Sequence, residues 1–226
     1  MTRLDPRTLP VDGAAATTLA ERGLDFRLID AADTEALAGA YRAINRGFLA
    51  EEPGEEEVAV GVRDQLAAWR VLGVYDRRPQ LPLPVATIAG WVTELTVPGG
   101  VMPMWAISEV TVAPTHRRRG IATAMLEGEL RTAARAGLAL AGLTVSEATI
   151  YRRFGFGPAT FSTHWKVDVQ RAGWAGPAAT GALQFVDRDE LARTLDDLHE
   201  RTRRDRIGEI AGWPRRRRVW RPPTPA

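Results

Sequence analysis

A run of arginines precedes a glycine at the start of an apolar, helix-like stretch, in the string VAPTHRRRGIATAML. The three arginines are Arg117, Arg118 and Arg119, and the glycine is Gly120. The first turn of a helix has unpaired main-chain N–H groups and a partial positive charge, so it attracts phosphate, and a glycine lets the main chain approach the anion closely. Guanidinium groups match phosphate oxygens, whereas cations without an anion oppose the helix dipole at this end. We therefore predict a phosphate-binding turn; a solvated basic surface is the alternative.

The composition excludes several other kinds of chemistry. The 226 residues include no cysteine, so disulfides, thiolate nucleophiles and cysteine-bound metals are excluded. The three histidines, His116, His164 and His199, are too scattered to indicate a metal site, and we predict none. A net charge of +2 gives no strong attraction to nucleic acid, and the arginine run at residues 215–218 is weak support for such binding. The sequence shows no secretory leader and no apolar run of membrane-spanning length, so we expect a cytoplasmic protein without membrane partners.

The spacing of apolar residues predicts the elements around the turn. LDFRLID alternates like a first strand, a helix follows from an N-cap at Asp33, and VGVRDQLAAW predicts a second, short helix. RVLGVYD, LPVATIAGWVTELTV and MWAISEVTVAP are typical of three strands. The arginine turn opens the clearest helix, after which LALAGLTV predicts a buried strand, EATIYRRF a short helix and THWKVDV a last strand. This order indicates an α/β fold with helices on a mixed sheet.

Changes in composition divide the chain into four segments. Residues 1–23 are rich in Pro, Thr and Ala, and we expect a flexible arm there. Residues 24–169 carry the α/β pattern, and residues 170–182 are typical of a linker. Residues 183–226 begin with a strand–helix pattern that loosely repeats the first one and end in a basic, Pro-rich tail. We therefore expect the start of a second, similar domain that is incomplete.

Two strings resemble a known family. The pattern V-x-V-x-P-x-x-R-R-x-G-x-A over residues 110–122 resembles the acetyl-CoA motif of the GCN5-related N-acetyltransferase (GNAT) superfamily. VTVAPTHRRRGI and LTVSEATIYRRFGFGPAT are similar more specifically to the N-terminal part of the enhanced intracellular survival (Eis) acetyltransferases. The resemblance covers about residues 24–169. It implies the GNAT fold, a mixed, mostly antiparallel central sheet flanked by helices, with acetyl-CoA as cosubstrate and no metal.

The resemblance also implies roles for individual residues. The strand before the turn would bind the pantetheine arm through backbone groups at Val110 and Val112, much as a sheet accepts an added strand. Tyr151 would be the general acid that protonates the CoA sulfur, which suits a phenol with a pKa of about 10. Ser146 would lie close to the cofactor, although a helix N-cap also explains it. The residues expected to hold the pyrophosphate are Arg117, Arg118, Gly120, Ile121 and Ala122.

The general base is less well defined by the sequence. In the family resembled, a longer chain brings its own C-terminal carboxylate into the active site, whereas this chain ends at Ala226. Glu109, next to Val110, is the best internal candidate; a surface carboxylate without a catalytic role and a water relay are the alternatives. We predict acetyl-CoA-dependent transfer of acetyl directly to an amine, with a truncated, catalytically impaired CoA-binding relative as the alternative.

The acceptor amine is open at this stage. An aminoglycoside, a polyamine and a lysine side chain of a peptide all fit the chemistry. The acidic run at residues 51–57 would attract such cations, or it is a solvated loop. Phe48, Trp69, Trp91 and Trp105 line an acceptor pocket or belong to the core. Relatives form multimers, so a homo-oligomer is a further expectation.

Overall fold

The computed structural model describes residues 4–78, 83–145, 147, 149–161, 163–178 and 180–213. Its helices and strands, in chain order, are α1 Gly13–Ala20, β1 Leu24–Ile29, α2 Thr34–Gly47, α3 Glu55–Asp64, β2 Arg70–Asp76, β3 Ala86–Val97, β4 Gly100–Val112, α4 Ile121–Arg135, β5 Ala141–Leu143 and α5 Arg188–Arg203.

The five strands form one sheet in the order β1-β2-β3-β4-β5. Each neighbouring pair is antiparallel except β4 and β5, which run parallel across the connection through α4. A parallel pair needs such a crossover, and the amphipathic α4 supplies it. This is the predicted mixed, mostly antiparallel sheet flanked by helices.

Two apolar clusters cover the two faces of the sheet. The α4-side cluster is built by α1, α4 and the inward residues of the strands; it includes Leu19, Leu24, Leu72, Ile88, Trp105, Ile107, Ile121 and Met125. The α2-side cluster is built by α2 and α3; it includes Leu37, Ile44, Val58, Val62, Trp69, Val71 and Ala89. Neighbouring strand residues therefore alternate between the two clusters, as the period of a strand requires.

Local signals place α2 and α3. Asp33 is the N-cap of α2, as predicted, and its carboxylate accepts a hydrogen bond from the Ala36 N–H at 2.9 Å. The second helix begins earlier than predicted, at Glu55 rather than at Val60. Three glutamates occupy its first turn, where negative charge is favourable, so part of the acidic run at residues 51–57 is helix rather than loop.

The N-terminal segment differs from the flexible arm expected for residues 1–23. Residues Gly13–Ala20 form α1, and Leu19 is fully buried. Buried Asp12 caps α1 and pairs with Arg131 at 2.8 Å and Arg135 at 2.9 Å on α4. These partners are more than a hundred residues away in sequence, and a local pattern contains no sign of them.

The segment after β5 is less regular than predicted. Only Ala141–Leu143 of LALAGLTV pairs as a strand, and the predicted helix of EATIYRRF is reduced to the 3-10 turn Arg152–Phe154. The predicted strand THWKVDV is absent from the described residues, and Trp165 in it is 85% exposed. Alternating side chains form a strand only where a neighbouring edge accepts the backbone hydrogen bonds, and none does so here in the described part.

The predicted helix after Asp187 is present as α5. Buried Arg203 near its end pairs with Glu94 of β3 at 2.8 Å and with Glu200 at 2.7 Å. The following segment bridges to β3, with Ile210 opposite Leu95. The strand expected just before α5 is absent from the described residues. The division into segments at residues 169 and 182 stays a prediction.

Candidate active site

A β-bulge lies near the end of β4, shortly before the arginine turn. Ala89 of β3 pairs with Ser108 of β4. Two residues earlier in β3, Thr87 pairs with Thr111, so β4 has one residue more than its partner. Glu109 takes the bulged position with φ of +53°, and its carbonyl accepts a hydrogen bond from Thr87 Oγ1 at 2.8 Å. Left-handed backbone at a non-glycine residue is costly, and bulges of this kind concentrate next to functional sites.

The bulge sorts candidate residues onto opposite faces of the sheet. Simple alternation would give Glu109 the same face as Ile107, in the α4-side cluster. Instead, the buried Glu109 carboxylate accepts a hydrogen bond from Gln65 Nε2 at 2.8 Å, beyond the end of α3. Val110 and Val112 pack against the α4-side cluster. Glu109 and Val110 therefore lie on opposite faces of the sheet.

β4 continues beyond its pairing with β5. The parallel pairs run from Trp105 with Ala141 to Ile107 with Leu143. Within the described residues, no strand pairs with the β5-facing edge of residues 108–112. This edge has the main-chain groups that an extended ligand with amide groups can bind, by the same physics as strand addition.

A left-handed turn joins β4 to α4. Arg118 has φ of +63°, and Gly120, the N-cap of α4, has φ of +71°. Left-handed residues next to ordinary ones turn successive N–H groups toward one concave side, which is an anion-binding arrangement. In the described part of the chain, the N–H groups of residues 118–122 donate no hydrogen bond. The predicted phosphate-binding turn thus has free donors.

The arginines of this turn have no carboxylate partner in the part of the chain that the structure describes. Counting described residues alone, Arg117, Arg118 and Arg119 form no ion pair, whereas Arg27 and Arg42 each have a carboxylate partner. Positive charge without a counter-ion at a helix N-terminus is unfavourable. The turn therefore has both the donors and the charge to bind a phosphate group.

His116 anchors the start of the turn. It ends the 3-10 turn Pro114–His116, with Nε2 3.0 Å from Asp76 Oδ2 and Nδ1 2.8 Å from Thr115 Oγ1. Hydrogen bonds from Arg78 and His116 hold the pKa of Asp76 well below its usual range. The anionic end of β2 therefore holds the turn in place. Asp76 is a residue that sequence reasoning missed, since it lies 40 positions from His116.

Tyr151 directly precedes the turn Arg152–Phe154 and is buried in the α4-side cluster. The ring of Phe156 meets it edge to face, with centroids 6.1 Å apart. Burial, with a smaller contribution from Glu147, raises the pKa of the Tyr151 phenol above its ordinary value. The phenol is therefore protonated at neutral pH, on the face of the sheet opposite Glu109.

The remaining predicted residues fall into two groups. Ile121 is buried at the first position of α4, and Ala122 beside it is half-buried. Ser146 and the arginine run at residues 215–218 lie outside the described residues. Among the residues the structure describes, no three His, Asp or Glu side chains are grouped to hold a metal, and no helix is long and apolar enough to cross a membrane.

The aromatic residues considered for an acceptor pocket have different environments. Trp105 is fully buried in the core, and Phe48 is 48% exposed. Trp69 is buried and stacks on half-buried Trp91, with ring centroids 4.2 Å apart. Of the four, Phe48 and Trp91 are not fully buried, and Trp91 packs against the α2-side cluster.

A comparison of sequences decides the family. The profile of the acetyltransferase (GNAT) domain matches residues 28–159. The chain belongs to the GNAT family of acetyltransferases. The β4 edge beyond the β5 pairing and the arginine turn, both described above, lie within the matched residues.

Individual relatives show which kind of GNAT protein this chain resembles. An uncharacterized N-acetyltransferase of Streptomyces avermitilis is 41% identical over 194 residues, which are 83% of this chain and 44% of that protein. N-acetyltransferase Eis of Mycobacterium tuberculosis is 47% identical over 122 residues, 51% of this chain and 30% of Eis. The crystal structure of Eis1 from Mycobacterium abscessus matches with a TM-score of 0.66 at 29% identity, over 87% of this chain and 47% of Eis1. The resemblance to Eis is confirmed, and the chain spans less than half the length of each of these proteins.

Proposed function

We propose that this chain binds acetyl-CoA at the arginine turn and transfers the acetyl group directly to an amine. The single observation that carries the proposal is that, among the described residues, the N–H groups of residues 118–122 donate no hydrogen bond and the neighbouring arginines have no carboxylate partner. A diphosphate fits these donors in both charge and hydrogen-bonding capacity. Arg117, Arg118 and Gly120 would hold it, with the N–H groups of Ile121 and Ala122.

The free edge of β4 supports the second part of the binding. An extended pantetheine arm has amide groups that can hydrogen-bond a strand edge as an added strand does. Val110 and Val112 would offer their backbone groups there, while their side chains stay packed on the α4-side cluster. The two roles are compatible, because one uses the main chain and the other the side chain.

The chemistry needs two proton movements. Bound acetyl-CoA supplies the thioester; when the amine nitrogen bonds to the acetyl carbon, the carbon–sulfur bond breaks and the thiolate takes up a proton. Tyr151 is our candidate for the donor of that proton, and the raised pKa keeps its phenol protonated. Glu109 is our candidate for the group that accepts the proton lost by the amine.

The positions of the two candidates support a division of work. Tyr151 lies with the α4-side cluster, and Glu109 lies on the α2 side, next to the edge where β4 leaves β5. A thioester bound at this edge of β4 would meet the acid Tyr151 from one face of the sheet and the amine from the other. Gln65 fixes the direction of the Glu109 carboxylate by its hydrogen bond of 2.8 Å.

The α2 side also favours a cationic acceptor. Glu51, Glu52 and Glu56 are exposed after α2 and at the start of α3. This local negative charge attracts ammonium groups, and half-buried Trp91 offers an aromatic surface to them. We propose an amine acceptor of the aminoglycoside, polyamine or lysine class.

The experiment is a thiol-release assay with the purified chain, acetyl-CoA and a panel of these three kinds of amine. The proposal expects amine-dependent release of free CoA and an acetylated product of matching mass. No release with any amine, while acetyl-CoA still raises the melting temperature, would contradict catalysis and favour the CoA-binding alternative. No effect of acetyl-CoA on melting would contradict the binding site as well.

A further inference from the structure

An arginine outside the GNAT motif reaches the same turn. Arg22 follows α1, and its guanidinium donates a hydrogen bond to the carbonyl of Arg119. Arg119 Nη2 donates in return to the carbonyl of Arg22 at 3.2 Å. A Cβ atom on Gly120 would overlap Arg22 Nη1, so the guanidinium lies directly against the N-cap of α4.

We propose that Arg22 recognises the 3′-phosphate of CoA and so distinguishes CoA from its dephosphorylated form. This inference rests on the proposed acetyl-CoA site at the arginine turn. It adds a residue from the turn after α1 rather than from the motif strand or the start of α4.

The charge of Arg22 is not used inside the protein. Among the described residues, Arg22 has no carboxylate partner, and its side chain donates to a single carbonyl. A guanidinium has five N–H donors, so most of its hydrogen-bonding capacity remains for an anion. A phosphate monoester carries about 1.5 to 2 negative charges near pH 7, which is the strongest anionic group in CoA for such a partner.

Arg22 is exposed and lies two residues beyond the end of α1, which is itself firmly packed. Leu19 of α1 is fully buried, and Asp12 ties the start of α1 to α4 through Arg131 at 2.8 Å. A binding side chain on a fixed element loses less entropy than one on a loose arm. Packing therefore fixes α1, and the two hydrogen bonds with Arg119 place Arg22 beside Gly120.

The space beside Arg22 suits a phosphate at one end only. A cavity of about 290 Å³ lies between α1 and α4, with Arg22, Gly120 and Thr123 among its lining residues. Glu127, which also lines it, is six residues further along α4 than Ile121, or about 9 Å at 1.5 Å per residue. That carboxylate is 3.8 Å from Arg131, which also lines the cavity and pairs with Asp12 as well, so the positive charge at the far end is already paired. The phosphate would therefore lie at the end formed by Arg22 and the arginine turn.

The test is calorimetry of the full chain with CoA and with 3′-dephospho-CoA. We expect Arg22→Gln to lower the affinity for CoA about tenfold. The affinity for 3′-dephospho-CoA should change less than about twofold, because that ligand has no 3′-phosphate for Arg22 to bind. Arg22→Lys keeps the positive charge but lacks the planar guanidinium, so its affinity for CoA should lie between those of the wild type and Arg22→Gln. Arg63→Gln is the charge-matched control: Arg63 is exposed, pairs with Asp64 at 2.7 Å and should leave both affinities unchanged.

Three results would overturn the inference while the acetyl-CoA site itself stands. An equal loss for both ligands would show that Arg22 acts on the diphosphate or on the turn. Unchanged CoA affinity would show that it has no role, and tighter CoA binding would show that its side chain obstructs the site. If Arg22→Gln does not fold, the same comparison of two ligands with Arg22→Lys decides. Failure of the wild-type chain to bind either ligand would instead contradict the proposed function.

Discussion

Gly120→Ala should weaken acetyl-CoA binding through the shape of the arginine turn. Gly120 has φ of +71°, where alanine is strained by roughly 1–2 kcal/mol. The new methyl group would also overlap Arg22 Nη1, so the turn or Arg22 must move. Binding requires the present turn and must restore it against this strain, so the affinity should fall by about 5- to 30-fold at 1.4 kcal/mol per factor of ten. Calorimetric titration with acetyl-CoA measures this directly.

Gly137→Ala is the matched control for that variant. Gly137 follows the other end of α4 with φ of +79°, and a Cβ there would meet nothing within 4 Å. The same backbone strain should lower the free energy of unfolding by about 1–2 kcal/mol in a urea titration. Its acetyl-CoA affinity should equal that of the wild type. If Gly120→Ala binds acetyl-CoA as tightly as Gly137→Ala does, our reasoning about the turn is wrong.

Three further predictions concern the acid, the base and the N-terminal anchor. Tyr151→Phe should lower kcat about a hundredfold or more with acetyl-CoA affinity unchanged; wild-type turnover would remove Tyr151 from the mechanism. Glu109→Gln keeps an oxygen that accepts from Gln65 and should lower kcat about a hundredfold or more, whereas wild-type turnover would exclude Glu109 as the base. Arg131 lowers the pKa of Asp12 to about 2, so its ionised form stabilises the fold above pH 4 and this contribution is lost as pH falls through 2. Asp12→Ala should therefore cost about 1–2 kcal/mol in urea unfolding at pH 7 and much less near pH 2, and a pH-independent difference would refute this explanation.

The parts of the fold that depend on local signals could be predicted from the sequence. The N-cap Asp33, the amphipathic spacing of α4 and the apolar runs of β2 to β4 are each encoded within a few neighbouring residues. The arginine turn was predictable for the same reason, because Gly120 and the arginines are adjacent. Periodicity and capping are the strongest signals that a single sequence contains.

The parts that depend on distant contacts could not be predicted. The sequence of α1 predicted a flexible arm because the helix is anchored by the contact of Asp12 with Arg131, and the hydrogen bonds of Arg22 with Arg119 likewise join distant residues. The contact of His116 with Asp76 and the hydrogen bond of Glu109 with Gln65 also join separate segments.

After β5, by contrast, the sequence predicted a strand that the described residues do not form. Residues 163–169 alternate like a strand, but in the described part no sheet edge pairs with them. The pattern of side chains was present, and the backbone partner was not. A strand prediction from alternation alone therefore needs a second strand to which it can bond.

The central claim is that a CoA diphosphate binds the N–H groups of residues 118–122, and amide hydrogen exchange tests it most directly. The full chain is exchanged with and without CoA, and peptides that cover residues 113–125 are followed by mass spectrometry. Our account predicts that CoA slows exchange in these peptides, because free N–H groups become hydrogen-bonded. Unchanged exchange there at a saturating CoA concentration, with protection at some other part of the chain, would contradict it.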